Sequence, residues 1–320
     1  MKGPFHGMMW LMIRVSVIGL GAMGASYAAK LHEAPDTEVR VIAEGERAER
    51  LRRDPMTVNG TRHDFTIVSP DEPVEPADLM VVAVKHPSLA QALGQMGHHI
   101  ADGTIVLSLL NGITSEEEIA AAYPMSHPLL SITFGVDAVR RGHEITYSSL
   151  GTMSFGEKTN AEPYSEQVRW VARLFDSARL TYDIPADMVK QLWWKYMVNT
   201  GVNQVTAILG STYAIVQRDS PARDLMLAAQ REVVAVAQAK GISLDETDID
   251  SWLAVLAGLG PEQYTSMAQD VLAHRPTETD IFSGAMRRMG AELGVPVPVN
   301  TCLYQILASR ELLEHNSLPA

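Results

Sequence analysis

Hydrophobic and polar positions along this 320-residue chain follow two regimes. In the first, short apolar runs alternate with helical patterns. "IRVSVIG" (13–19) is a continuous apolar run closed by glycine, which predicts a parallel strand buried on both faces. A helical pattern follows from Ala22 to His32, then a second strand over 38–43, "EVRVIA". "DLMVVAVK" (78–85) and "TIVLSLL" (104–110) predict two more strands, with a helix near 88–100 between them. Ser115 with Glu118 reads as a capping box that opens the next helix. Strand-like segments continue through "LLSITFG" and "GTMSFGE". The alternation predicts a doubly wound parallel sheet.

From about Ile184 strand signals vanish. "DMVKQLWWKYMVNTGVNQVTAIL" (187–209) reads as one long helix. A second runs through "SPARDLMLAAQREVVAVAQAKG", with Ser220 as N-cap, Pro221 in the first turn and Gly241 at the end. Further helices fit near 245–258, 263–273, 279–293 and 299–314. The chain therefore divides into an α/β domain over 1–182, including a leader over 1–12, and an all-helical domain over 183–320. One feature of the long helix is out of place. Lys195, Asn199 and Asn203 recur at four-residue spacing within an apolar segment, so they stack along one helical face. Polar groups on a buried face cost free energy unless they are partnered.

The first strand runs into "IGLGAMG", with Gly19, Gly21 and Gly24 in GxGxxG spacing around Ala22 and Met23. That spacing is weak evidence by itself. Between a buried strand and a helix it predicts a dinucleotide turn of Rossmann type, whose glycines admit a pyrophosphate to the helix N-terminus. Glu44, twenty residues after Gly24, ends the second strand. An acid there accepts ribose hydroxyls and repels a 2′-phosphate, which leans the choice towards NADH. Arg47 and Arg50 stand close by and offer the opposite reading, a phosphate contact.

Composition narrows the class. The chain is 46% hydrophobic and 20% charged, with a net charge of −12. No basic run stands out, which argues against nucleic acid. The single cysteine, Cys302, excludes an internal disulfide framework and suits a reducing cytoplasm. No metal-ligand spacing is present, so no metal is expected. No apolar stretch approaches bilayer-spanning length, so no membrane partner is expected. The start "MKGPFHGMMWLM" lacks the apolar stretch and cleavage site of a signal peptide.

The glycine loop, the "VK" ending a strand, the "NG" after the next and "WWKYMVNTGVN" together resemble the ketopantoate reductase (2-dehydropantoate 2-reductase) family. "TSMAQD" (265–270), "RPTETDIFSG" (275–284) and "VPVPVNTCLY" (295–304) extend the resemblance to the last helix. It implies a Rossmann domain followed by a helical domain. It implies reduction of the ketone of ketopantoate, in the route to pantothenate, by a nicotinamide cofactor that is usually NADPH. By position it makes Lys195 the catalytic lysine and Glu278 its neighbouring glutamate. Asn199, Asn203 and Ser266 become substrate-binding, and Lys85 and Asn111 line the nicotinamide side. Monomers and homodimers are both allowed. Three positions depart from the family: Leu110 replaces a common glutamine, Ser283 a common asparagine, and Glu44 a common arginine.

The residue types suit that chemistry. Ketone reduction delivers hydride to carbon and a proton to the increasingly negative oxygen, which a positioned ammonium can stabilise and protonate. Two rival readings remain. A β-hydroxyacid dehydrogenase of the 3-hydroxyisobutyrate type shares the opening loop and a lysine four residues before an asparagine. It usually carries an "SGG" loop where this chain has "SSLGTMSFGE". A non-catalytic dinucleotide sensor would keep the glycines without needing the polar stripe.

Overall fold

The computed structural model of the chain describes residues 12–314, so of the expected leader only Met12 is included. The described residues form two compact units. One holds the chain up to 110 together with 114–188; the other holds 111–113 with the chain from 189 onward.

The first unit is built on β1 (Ile13–Ile18), β2 (Thr37–Ile42), β3 (Met56–Val58), β4 (Thr61–His63), β5 (Thr66–Val68), β6 (Leu79–Val82), β7 (Ile105–Ser108), β8 (His127–Val136), β9 (Val139–Arg141), β10 (Glu144–Thr146), β11 (Leu150–Gly156) and β12 (Tyr182–Asp183). Its helices are α1 (Ala22–His32), α2 (Gly45–Arg53), α3 (Leu89–Gln95), α4 (Ser115–Ala122) and α5 (Glu166–Ala178). The main sheet runs β12-β11-β8-β7-β6-β1-β2-β5. From β5 to β8 every neighbour is parallel, and the order is that of two mononucleotide-binding halves meeting at β1. The expected Rossmann-type sheet is thus present, with β11 added antiparallel at one side.

Alternate residues of the central strands feed two apolar layers. Val15 and Val17 join Val39, Val41, Tyr27 and Leu31 on one face of the sheet, with α5 contributing Val168, Val171 and Phe175. Ile18, Ile42, Met80, Val82 and Val106 pack on the other face with Leu89, Ala92 and Ile119. Each fully buried aliphatic side chain contributes about 1.5–3 kcal/mol, so both faces must be covered for the sheet to persist.

Two local expectations need correction. Ser115 is not an N-cap: its hydroxyl is drawn inward to Ser108 Oγ at 2.8 Å, and Thr114 precedes the helix instead. Glu118 Oε1 accepts from Thr114 Oγ1 at 2.8 Å, so no capping box with Ser115 forms. The helix expected near 88–100 is cut to Leu89–Gln95, between tight turns at His86–Ser88 and Gly97–His99. A second sheet, β4-β3-β10-β9, was not foreseen, because strands of three residues are too short to show a period.

The second unit is helical: α6 (Met188–Leu209), α7 (Ala214–Gln217), α8 (Pro221–Ala239), α9 (Glu246–Ala257), α10 (Ser266–Leu272), α11 (Ala285–Leu293) and α12 (Pro298–Glu314). A π-helical turn, Asp280–Gly284, leads into α11. Ser220 caps α8 as expected, accepting from Arg223 N. Buried polar contacts bind α6 to its neighbours. Trp194 Nε1 donates to Asp248 O at 3.1 Å on α9, and Thr206 Oγ1 meets Thr265 Oγ1 at 2.8 Å before α10. Glu232 on α8 caps α12, accepting from the Val299 and Asn300 backbone amides at 2.7 and 2.9 Å.

His99 sets a pH limit on the first unit. Its ring is fully buried, with Nδ1 2.9 Å from Ser16 Oγ. Burial, reinforced by the Arg40 charge, pushes its pKa down to about 4. An unfolded histidine titrates near 6.5, so in this window the unfolded chain binds more protons. The stability carried by the neutral ring is complete above about pH 6.5 and is lost as pH falls towards 4, an effect of up to about 3 kcal/mol. Thermal melts at pH 7 and pH 4.5 should show a smaller acid loss in His99→Leu than in the parent. Equal losses would show that His99 does not set this limit.

Candidate active site

The turn after β1 assigns each glycine of the motif a different task. Gly19 has φ +97°, and a Cβ there would lie 2.5 Å from Ala83 O. At Gly24 a Cβ would lie 1.9 Å from Gly19 O, so only glycine lets α1 pack against the turn. A Cβ on Gly21 would meet nothing within 4 Å. Gly21 therefore faces open space at the start of α1, and its own side lacks any side-chain cap. The amides of Ala22, Met23 and Gly24 open an 11-residue helix whose dipole favours an anion. This cradle fits a pyrophosphate, with Ala22 and Met23 supplying backbone donors.

Charged side chains from separate elements gather around the turn. Glu44 immediately precedes α2, is exposed, and accepts from Gln95 Nε2 at 2.5 Å. Arg140, on β9, donates through Nη1 to the Leu20 carbonyl inside the glycine turn. Burial holds its pKa below the usual arginine range, and the charges of Arg47 and Arg50 press it down further. Arg47 is lowered in the same way, first by burial and then by Arg50. Mutual repulsion among three guanidiniums is relieved when an anion sits among them. Lys85 is exposed and opens the turn His86–Ser88.

In the helical unit the predicted polar residues converge. Lys195 and Asn199 are half-buried on α6 and Asn203 is 5% exposed. Asn111 Nδ2 donates to Glu278 Oε2 at 2.8 Å, and Asn199 Nδ2 reaches Asn111 Oδ1 at a long 3.5 Å. Residues 111, 199 and 278 thus form one chain of hydrogen bonds, with Lys195 one helical turn from Asn199. Ser266 is exposed in the first turn of α10. The Thr206–Thr265 hydrogen bond holds that turn against α6 three residues beyond Asn203.

Comparison with known proteins decides the family. The model for "Ketopantoate reductase PanE/ApbA" matches residues 15–160, and that for "Ketopantoate reductase PanE/ApbA C terminal" matches 187–311. This chain belongs to the ketopantoate reductase family. It is similar to the 2-dehydropantoate 2-reductase of Streptococcus pyogenes serotype M1, with 26% identity over 304 residues covering 93% of this chain and 97% of that protein. The enzyme of the same name from Mycobacterium tuberculosis is 27% identical over 298 residues, covering 92% and 97%. Among solved structures, D-mandelate dehydrogenase with NADH and anilino(oxo)acetate shares the fold at a TM-score of 0.84 and 24% identity, over 95% of this chain and all of that one. A dimeric ketopantoate reductase from Staphylococcus aureus shares it at 0.77 and 20%, over 94% of this chain and all of that one.

Within the ketopantoate reductase frame, two of the three departures are packing positions. Leu110 is buried in the apolar layer under the sheet. Ser283 is fully buried in the π-turn, its hydroxyl donating to Thr279 O at 3.4 Å. Among the described residues no group of three or more metal-ligating side chains is assembled, and no helix is long and apolar enough to cross a membrane. Sequence reasoning missed Gln95 and Arg140. Neither lies in a motif, and each reaches its partner only through the fold. The adjacent arginines 140 and 141 were the one available signal.

The glycine geometry separates folding from binding. Gly21→Ala adds a methyl to open space, so its melting temperature should match the parent while dinucleotide affinity falls by about tenfold or more, read by calorimetry. Gly24→Ala forces a carbonyl clash and should fail to fold stably. A Gly21→Ala protein that binds dinucleotide normally would remove the cradle from the site.

Proposed function

We propose that this protein reduces the ketone of a small 2-oxo acid, ketopantoate foremost, to the corresponding hydroxy acid, with Lys195 as the general acid. The observation that carries this reading is the Asn199–Asn111–Glu278 chain of hydrogen bonds beside Lys195, in a member of a reductase family. When bound, the reduced nicotinamide dinucleotide supplies the hydride and leaves oxidised. The carbonyl carbon gains the hydride, the carbonyl oxygen takes the new negative charge, and Lys195 Nζ gives it a proton. Glu278 holds the ammonium charged until that moment. Asn199 and Asn203 bring amide donors and acceptors to the substrate's hydroxyl and carboxylate, and Ser266 adds a hydroxyl. Preorganised donors of this kind act where charge develops, which is why they accelerate the chemical step.

The cofactor assignment weighs one carboxylate against three guanidiniums. Glu44 favours a free ribose hydroxyl, but its carboxylate is already engaged by Gln95. Arg47, Arg50 and Arg140 favour an added phosphate, with Arg140 fixed on the glycine turn. The balance supports NADPH over the NADH that Glu44 alone suggests. The reading also takes the protein as a cytoplasmic enzyme that works as a monomer or homodimer.

The test is turnover of a panel of 2-oxo acids with both cofactors, followed by nicotinamide absorbance. Lys195→Ala should lower kcat by about 10²–10⁴-fold with cofactor affinity retained. Near-normal turnover in that variant removes Lys195 from the mechanism, and cofactor binding without turnover on any acid supports the sensor reading instead. Arg140→Met should lower the NADPH-to-NADH ratio of kcat/KM by about tenfold, and Glu44→Arg should raise it. A ratio unmoved by either change would show that neither residue reads the ribose.

A further inference from the structure

Tyr196 follows Lys195 on α6 and is 1% exposed. Its ring packs edge-on to Trp193 at 5.7 Å between centroids and lies tilted against Phe282 at 6.1 Å. Its hydroxyl donates to the backbone carbonyl of Phe282 at 2.7 Å. Burial raises the phenol's pKa well above its ordinary value, against the smaller opposing effects of the Thr200 hydroxyl and the Arg288 charge on α11. The hydroxyl therefore stays a donor at every working pH.

Phe282 is the third residue of the π-turn Asp280–Gly284, which Thr279 caps, and lies four residues after Glu278. The widened turn is closed by Gly284 N donating to Thr279 O at 3.1 Å, and Ile281 N donates to Glu278 O at 3.2 Å. Phe282 O accepts from the Ala285 amide as well as from Tyr196. A π-turn inserts a residue into a helix and lacks the regular ladder that would fix its pitch, and such turns recur at functional sites. The segment carrying Glu278 is thus attached to α6 at two points. One is the side-chain route through Asn111 to Asn199. The other is the backbone route through Phe282 to Tyr196, whose donor is rigid, buried and three residues from Asn199.

We propose that Tyr196 is a positioning residue: its hydroxyl, by holding the Phe282 carbonyl, fixes the π-turn so that the Glu278 carboxylate stays beside the Lys195 ammonium. This rests on the roles given above to Lys195 and Glu278. The carboxylate stabilises the charged ammonium, an effect that weakens as the two separate. Removing the hydroxyl takes away the backbone tie between the π-turn and α6 and leaves one lone pair of a buried carbonyl unmet. Lys195 then loses its proton more readily. A displacement of about 1 Å at such a site can cost up to about 10²-fold in rate.

The experiment compares the parent, Tyr196→Phe and Lys195→Ala in the full-length chain. Tyr196→Phe keeps the ring packing, so the fold should survive with a modest fall in melting temperature. The titration of Lys195 is read without turnover, from its rate of acylation against pH measured by mass spectrometry. In Tyr196→Phe its midpoint should move to lower pH, and kcat should fall about tenfold with cofactor affinity unchanged. An unmoved Lys195 midpoint in a folded Tyr196→Phe protein overturns the proposal, whatever the melting temperature does. Normal turnover in Lys195→Ala overturns the role of Lys195, and the acylation midpoint still tests Tyr196 separately. Should Tyr196→Phe not fold, Phe282→Leu, which keeps the carbonyl and trims the ring contact, should leave the midpoint in place. A midpoint displaced there would assign the placement of Glu278 to ring packing and overturn the hydroxyl's role.

Discussion

The structure of the helical unit is governed by the cost of polar groups on a buried helix. α6 is enclosed along almost its whole length, from Met188 to Ala207. An unpartnered donor or acceptor in such a setting costs about 1–3 kcal/mol, and a charge costs more. Polar side chains on α6 are therefore favoured where they meet another element or open towards a ligand, although Thr200 Oγ1 and Gln204 Oε1 stay buried without a hydrogen bond. Trp194 meets α9, Thr206 meets the residue before α10, and Tyr196 meets the π-turn. Asn199 meets Asn111, which binds Glu278. The same requirement that packs the helix gathers the candidate chemistry.

In the sheet unit the governing constraint is steric. A carbonyl within 2 Å of where a Cβ would stand allows only glycine at position 24, and that close approach sets the start of α1 against the turn. Gly21 is free of such crowding, so packing does not require glycine there. Charge is then arranged around the turn from three separate elements: Glu44 before α2, Gln95 at the end of α3 and Arg140 on β9.

The two units differ in how openly they announce themselves. Buried parallel strands must be apolar on both faces, and "IRVSVIG" or "TIVLSLL" cannot satisfy that constraint and read otherwise. The glycine spacing survives in the sequence because backbone geometry admits no substitute. The four-residue stripe on α6 is legible because a helix fixes the faces of its own residues. By contrast the three-residue strands of the second sheet carry no period. Ser115 shows why a local motif can mislead. Its capping partner was in place three residues on, yet a buried serine from β7 offered a better contact.

Sequence by itself determined the sheet-then-helix order, the dinucleotide turn and the alignment of Lys195, Asn199 and Asn203 on one face. Each depends on geometry within a single element or between consecutive ones. Tertiary structure alone decided that Asn111 binds Glu278 across 167 residues of chain, that Arg140 caps a carbonyl of the glycine turn, and that Tyr196 holds the π-turn. Those contacts join residues remote in sequence, and only the fold brings their donors and acceptors within reach of one another.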